Sequence, residues 1–354
     1  VVSRDQQGVF VKAVQYHRFG GPEVLEYVDV PDPEPMAGDV VIKVRATALN
    51  HLDVVQRNGW YALPGYQLPH ISGMDLMGEV VAAGSAVSNV VVGDRVVVDP
   101  SLSEVRPDSA LAGHGDLYGE LGVIGGTLNG GYAQLCLAPA SHVYRVPDEV
   151  SDLGAAVFPT CWLTAWHALI ETGKLQAGET LLVHAAGSGV SVAAIQIAHW
   201  RGATVLATAG GAAKVEQALT MGVAAACDNR TEDVTGFAMG ATAGAGVDMV
   251  FDHVGPALFA PSLFALKPRG RMVVAGNTTG DQATIGSLGH LFHMGISIIG
   301  SDPYRYHEFA EAWAVYCTLN PTPVVTAEFP LAEAAEAHRR MEAGNFFGKL
   351  VLRP

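Results

Sequence analysis

The sequence predicts an α/β protein with a doubly wound parallel sheet and a second, β-rich domain. Three observations predict it. Leu181-Leu182-Val183 is a short apolar run that stops at a turn of small residues, His184-Ala185-Ala186-Gly187-Ser188-Gly189-Val190-Ser191, and a helical pattern from Val192 to Ala198 follows at once. A second apolar run, Thr204 to Thr208, comes after that helix, so the unit is βαβ. From about Thr160 onward helices alternate with short buried strands, whereas Lys12 to Val146 reads as strands and turns with little helix. A strand–turn–helix of this kind aims backbone N–H groups and a positive helix end at a pyrophosphate. Gly187, Ser188, Gly189, Val190 and Ser191 are therefore candidates for dinucleotide binding.

Taken in order, Val40 to Ala46, Gly78 to Ala83 and Arg95 to Val98 are β-rich runs, separated by Pro, Gly and Asp clusters such as Pro31-Asp32-Pro33-Glu34-Pro35 and Gly93-Asp94. Residues 99–131 are glycine-rich and loop-like. In the second half, Val247 to Asp252, Arg271 to Gly276 and Ile296 to Gly300 are apolar strands of the parallel sheet. Near Ser301 the pattern returns to helix and strand pieces and ends in Gly348-Lys349-Leu350-Val351-Leu352.

With 21 basic and 35 acidic residues, the 354-residue chain carries a net charge of −14. That balance argues against nucleic acid or an anionic membrane surface as a partner, and it leaves an anionic cofactor to be held by local donors. Cys136, Cys161, Cys227 and Cys317 are widely spaced and form no Cys-x-x-Cys pair, so neither a disulfide scaffold nor a sequence-local zinc knot is expected. No apolar run reaches membrane-spanning length and the first residues lack a signal-peptide layout. A cytoplasmic enzyme with a small-molecule substrate is the expectation.

Several signatures stand in an order that resembles the medium-chain dehydrogenase/reductase superfamily, the zinc alcohol dehydrogenases and quinone reductases. They are Gly38-Asp39-Val40-Val41-Ile42-Lys43-Val44, Ala48-Leu49-Asn50-His51-Leu52-Asp53, Gly73-Met74-Asp75-Leu76-Met77-Gly78-Glu79-Val80, Val92-Gly93-Asp94-Arg95-Val96, Gly130-Gly131-Tyr132-Ala133-Gln134, the small-residue turn and the closing Gly348 to Leu352. The resemblance implies a GroES-like β-rich catalytic domain built from residues 1–160 and 302–354. It places a Rossmann dinucleotide-binding domain at 161–301 and the active site in the cleft between them. It also implies a homodimer through the Rossmann edge strand near Ile296 to Gly300, an apolar edge that is a liability unless covered.

The departures from that family are as informative as the matches. Where its zinc enzymes carry Cys, His and a third ligand, this chain has Asn50, Met74 and Thr160, with Cys161 one residue on; Leu52 stands at the usual hydroxyl relay. Amide, thioether and hydroxyl groups are poor zinc ligands, so no catalytic zinc is expected. In the 99–131 lobe the four structural-zinc positions match Glu104, Pro107, Ala110 and Tyr118, so the lobe is a surface loop, or a rim of the substrate cleft or of a subunit contact. In the turn, Ser188 and Ser191 stand where glycine is usual. The resemblance further matches Thr164, Val254, Gly255, Asn277 and Lys349 to positions that approach the cofactor, although Gly255 reads equally well as a strand-end turn.

No acidic residue lies between Trp200 and Val215, where an NAD-selective fold places one about 20 positions after the turn. Thr208, Gly210 and Gly211 leave room instead, Lys214 supplies charge, and Asn229 and Arg230 are further phosphate candidates, so NADP(H) is the expected cofactor. A solvated helix position is the alternative for Lys214. Without a Lewis acid, hydride delivery to an activated C=C (an enone or enal) or to a quinone is the easiest chemistry, because the acceptor is already electron-poor. Asn50 and Asp53 match the Asn-x-x-Asp of quinone reductases. Asn50 is assigned to hydrogen-bond the substrate oxygen or the carboxamide and Asp53 to positioning, the alternative being a turn-stabilising Asx pair. Tyr61, Tyr66, His70 and His253 read as packing before catalysis. Two other readings stay open: reduction of a specialised biosynthetic carbonyl or imine, and a nucleotide-binding protein without catalysis.

Overall fold

The computed structural model describes residues 10–102 and 122–354. The lobe positions Glu104, Pro107, Ala110 and Tyr118 lie outside the described residues. The chain divides into two compact units, Val1–Thr160 with Arg305–Pro354, and Cys161–Tyr304.

In the first unit β1 (Phe10–Gln15) pairs antiparallel with β2 (Glu26–Pro31). The sheet that follows takes β3 (Asp39–Ala48), β4 (Asp75–Ala83), β5 (Arg95–Val98), β6 (Leu135–Pro139) and β7 (Val143–Arg145). Alternate residues of β3 and β4, among them Val40, Ile42, Val44, Leu76 and Val80, fill one core together with Val96 and Val98. Gly78 is required where these strands draw together at a register shift, because a Cβ there would meet the Lys43 carbonyl oxygen at 2.2 Å. Helix α1 (His51–Asn58) leaves β3 through Asn50, in extended conformation, and ends at Gly59 with φ 73. Helix α2 (Asp152–Val157) is capped by the Ser151 hydroxyl, and α3 (Pro159–Trp166) carries the chain into the second unit.

The second unit contains a six-stranded parallel sheet: β8 (Thr180–Val183), β9 (Thr204–Ala209), β10 (Ala225–Asp228), β11 (Val247–Asp252), β12 (Leu266–Val274) and β13 (Ser297–Gly300), in the order β10-β9-β8-β11-β12-β13. Helices α4 (Gly189–Arg201), α5 (Ala212–Thr220), α6 (Val234–Ala241), α7 (Pro256–Ala265) and α8 (Leu288–Met294) accompany the strands. Every residue of β11 is buried, as expected of a strand covered on both faces. The strand order reverses between β8 and β11, and in such sheets ligands bind at the carboxyl ends beside that reversal. At the far edge β13 leaves Ile298 partly exposed, and Leu288 and Phe292 of α8 are each 69% exposed.

The chain then completes the first unit with α9 (Tyr306–Leu319), β14 (Val325–Pro330), α10 (Ala334–Glu342) and β15 (Lys349–Arg353). β15 pairs with β14 on one side and with β3 on the other, so the sheet runs β14-β15-β3-β4-β5-β7 with β6 also on β3. This order places three strand ends side by side: Ala48 lies opposite Val351 on one side and opposite Asp75 on the other.

Candidate functional site

In the second unit the turn after β8 is entered through Ala185 in the left-handed region (φ 49) and closed by the Ser188 N–H donating to the Ala185 carbonyl at 2.8 Å. Ser188 is the N-cap of α4. Helix geometry leaves the first N–H groups of α4, those of Gly189, Val190 and Ser191, without a carbonyl one turn earlier. Ser188, Gly189 and Val190 are half-buried and Gly187 is buried, so a small-residue helix start at the reversal point is the part of this unit suited to a pyrophosphate.

Two predicted ligands turn inward. The Ser191 hydroxyl donates to the His184 carbonyl at 2.7 Å, which makes it the acceptor from His253 Nε2, also at 2.7 Å. The Ser262 hydroxyl donates to the Leu258 carbonyl, so it accepts from His184 Nε2. His184 Nδ1 is then an acceptor, and the Thr208 hydroxyl donates to it at 3.0 Å. Burial, reinforced by the nearby His253, holds His184 down to about 3, so it stays neutral. Ser191 and Thr208 are both 0% exposed. Their side chains brace the turn.

Val254 and Gly255 are likewise committed. Both N–H groups donate to Asp252 Oδ1, at 2.8 and 3.0 Å, and the Val254 carbonyl accepts from the Thr279 N–H and hydroxyl. Gly255, at φ 84, is the turn that starts α7. Asn277 is exposed and donates to Asp281; Thr164 is half-buried on α3.

At the end of β9 the structure brings Gly210, Gly211, Lys214 and Arg230 together. A Cβ on Gly210 would meet the Arg230 guanidinium at 2.9 Å, so this side chain lies across the two glycines. Burial and then the Arg230 charge lower the Lys214 pKa. The Asn229 N–H donates to the Ala209 carbonyl at 3.0 Å. Sequence reasoning missed Asp228, because it searched for an acid along one stretch of chain. The register Asp228↔Ala209 delivers this acid from the neighbouring strand. Its Oδ1 accepts from the Gly211 and Arg230 N–H groups, and these bonds, with the Arg230 charge, hold the carboxyl below its usual range.

In the first unit the adjacent ends of β15, β3 and β4 gather Lys349, Asn50 and Asp75. The Lys349 ammonium donates to Asn50 Oδ1 at 2.7 Å and to Asp75 Oδ2 at 2.9 Å, while Asp75 Oδ1 accepts the Thr160 N–H at 2.8 Å. All three side chains are buried. Lys349 is thus held in an ion pair with Asp75, a partner that the sequence reading did not name. Asp53 Oδ2 accepts the Asn50 N–H at 2.9 Å and the Tyr132 hydroxyl at 3.1 Å, so Asn50 and Asp53 form one bonded group.

A directed chain stands behind Asp53. Arg57, 0% exposed, can only donate, so His338 Nδ1 accepts from it at 3.0 Å. His338 Nε2 then carries the proton toward the Tyr132 oxygen at 3.2 Å. Burial and then the Arg57 charge hold His338 down to about 3.

Burial pushes the Asp53 carboxyl up to about 6, against the lowering influence of the Asn50 N–H, Tyr132 and Lys349. Its Oδ1 has no hydrogen-bond partner among the described residues. A carboxyl whose folded pKa exceeds the unfolded value of 3.8 contributes stability below that value and loses it as pH rises through about 6. The loss is about 3 kcal/mol. Urea unfolding at pH 4 and pH 7.5 should show this decline in the wild type and a flatter profile in Asp53→Asn; parallel profiles would refute it.

Of the remaining aromatic and imidazole candidates, His70 and Tyr66 pack and Tyr61 does not. His70 Nε2 donates to the Gly125 carbonyl at 3.1 Å, and burial holds this imidazole down to about 4. Tyr66 stacks on Phe19, and Tyr61 is exposed.

Comparison with known proteins follows this geometry. The alcohol dehydrogenase GroES-like domain family matches residues 36–148 and the zinc-binding dehydrogenase family matches residues 189–316. A quinone oxidoreductase of Pseudomonas aeruginosa is 30% identical over 97% of this chain and 99% of its own length. The chain belongs to the medium-chain dehydrogenase/reductase superfamily, in its quinone oxidoreductase-like branch. Among solved structures, an NAD-dependent alcohol dehydrogenase is 36% identical with a TM-score of 0.89, covering 97% of this chain and 99% of that one. A mycobacterial protein solved in complex with NADPH is 29% identical with a TM-score of 0.79, covering 97% and 100%.

Zinc is the metal that part of this superfamily implies, and the residues here do not fit it. Asn50 Oδ1, at the first-ligand position, already accepts from an ammonium, so a divalent cation on that oxygen would face a positive charge at contact distance. Met74 and Thr160 offer a thioether and a hydroxyl at the other two positions, and neither replaces imidazole or thiolate. Among the described residues no group of three or more His, Cys, Asp or Glu could hold a metal ion.

Proposed function

We propose that this medium-chain oxidoreductase is a zinc-independent, NADP(H)-dependent reductase. Its acceptor is an activated C=C in an enone or enal, or a quinone. The observation that carries the reading is Asn50: its oxygen accepts from Lys349, which leaves N–H groups, on a nitrogen buried in the structure, as what the side chain can present where a metal-dependent relative has a metal ligand. Reduced nicotinamide, when bound, supplies a hydride. Asn50 Nδ2–H then answers the negative charge that develops on the acceptor's oxygen, which conjugation has already made easier to form. An unactivated ketone or an alcohol needs a stronger electrophile than an amide. NADPH oxidation followed by absorbance, across enones, quinones, simple ketones and cyclic imines, tests this. Turnover confined to ketones or imines, or none with any acceptor, overturns it.

The preference for NADP(H) rests on Lys214 and Arg230 beside Gly210 and Gly211. Two cations stand there beside Asp228, whose Oδ1 is tied to backbone N–H groups, and Glu232, whose carboxylate accepts the Asp228 N–H. The double variant Lys214→Ala/Arg230→Ala should weaken NADPH binding by about 10- to 100-fold and leave NADH nearly unchanged. Equal losses for both nucleotides in fluorescence titrations would count against a 2′-phosphate site.

The same reading makes the protein a homodimer through β13, with Leu288, Phe292 and Ile298 supplying the exposed apolar surface that an edge strand needs covered. A monomeric mass in light scattering at micromolar concentration would refute it. The net charge of −14 disfavours nucleic-acid partners, and among the described residues no helix is long and apolar enough to cross a membrane.

A further inference from the structure

Lys349 matched a position near the cofactor, and the structure sets its ammonium against Asn50 Oδ1 and Asp75 Oδ2 within the first unit. An ammonium donates and never accepts, so the carboxamide atom set against it at 2.7 Å is the oxygen. Rotating that amide by half a turn would place NH2 against NH3+. The flip would exchange a charge-assisted hydrogen bond for a contact between two donors, in surroundings where neither side chain is more than 7% exposed. Lys349 has no freedom of its own to follow such a flip. Asp75 holds it from the other side, and the Thr160 N–H holds Asp75. The Asn50 backbone is fixed independently through Asp53.

We propose that Lys349, anchored by Asp75, is a positioning residue that locks the flip state of Asn50 and so dedicates Nδ2–H to the acceptor's oxygen. This rests on the role given to Asn50 above and adds which residues enforce it and in which orientation.

The test uses the full chain. With side-chain 15N-labelled asparagine, the Asn50 carboxamide resonances are identified by their loss in Asn50→Asp. Lys349→Met should shift them and narrow the separation of their two protons. It should also lower kcat by about twofold or more, with KM for the acceptor and NADPH affinity unchanged, because an amide free to flip presents its donor about half of the time. If the unpaired Asp75 prevents folding, Asp75→Asn/Lys349→Met removes the ion pair without leaving a buried charge, and the same signals are read there. Adding Asp75→Asn/Lys349→Met to Asn50→Ala should cost little more in kcat, because no amide is left to lock and no buried carboxylate is left unpaired. Unchanged Asn50 resonances, a weakened NADPH affinity with kcat intact, or full additivity would each overturn the inference. A wild-type protein that reduces no acceptor overturns the proposed function instead, while the resonances still decide the role of Lys349.

Discussion

Asn50→Asp is expected to lower kcat/KM by about 100- to 1,000-fold at neutral pH, the cost of losing one preorganised donor to an oxyanion. The substitution replaces an NH2 by an oxygen of similar size. The carboxylate still accepts from Lys349, so the contact seen at 2.7 Å survives and so should most of the fold. What changes is the other limb, which now offers lone pairs to an oxygen that is gaining negative charge. A protonated carboxyl donates again, so the deficit relative to wild type should shrink as pH falls. NADPH binding should be unaffected throughout. Steady-state rates from pH 5 to pH 8 measure this, and an Asp variant as active as wild type would mean that Asn50 serves only to accept from Lys349.

Arg57→Met is expected to be the most destabilising single change in the first unit, by about 3–5 kcal/mol. Arg57 is fully buried, and each face of its guanidinium is used. Nε donates to the Gly20 carbonyl at 3.1 Å, one terminal nitrogen to His338, and the other to Asn58 at 2.8 Å and Glu342 at 2.5 Å. Methionine fills part of the volume but leaves a buried carbonyl and a ring nitrogen unsatisfied. Glu342, about 30% exposed, regains water on losing its partner, so most of the cost falls on the buried groups. Lysine keeps the charge yet lacks the fork, so Arg57→Lys should recover only a small part. The melting temperature should fall by on the order of 10 °C. A change of a degree or two would show that the network contributes orientation and not stability. Because His338 and Tyr132 pass that orientation to Asp53, and the Tyr132 hydrogen bond lowers the Asp53 pKa, the variant should also steepen the pH dependence of stability assigned to Asp53.

The βαβ unit, the three β-rich runs and the turn were legible because each is local: a period of two or a short apolar run bounded by glycine survives as a pattern along the chain. Asn50 and Asp53 were legible for the same reason, lying three residues apart across a helix start. Their surroundings were not. Lys349 lies 299 positions from Asn50 and 274 from Asp75, and only the β15-β3-β4 order joins them. Asp228 escaped notice because it enters from a neighbouring strand and not from the loop that was searched. Ser191 and Thr208 were read as ligands by position, but hydroxyl direction depends on His184 and His253, which no spacing reveals. Val254 and Gly255 sit where the pattern placed them, with backbone groups already spent on Asp252 and Thr279.

The pairing of β15 with β3 also dictates an order of assembly during synthesis. Cys161–Tyr304 is one uninterrupted stretch, so all its strands have left the ribosome before Lys349 is translated. The first unit, by contrast, must keep Val40–Ala48 waiting for a strand made some three hundred residues later, and such distant contacts form slowly. The strands of Cys161–Tyr304 are therefore all made before the lysine that finishes the polar cluster.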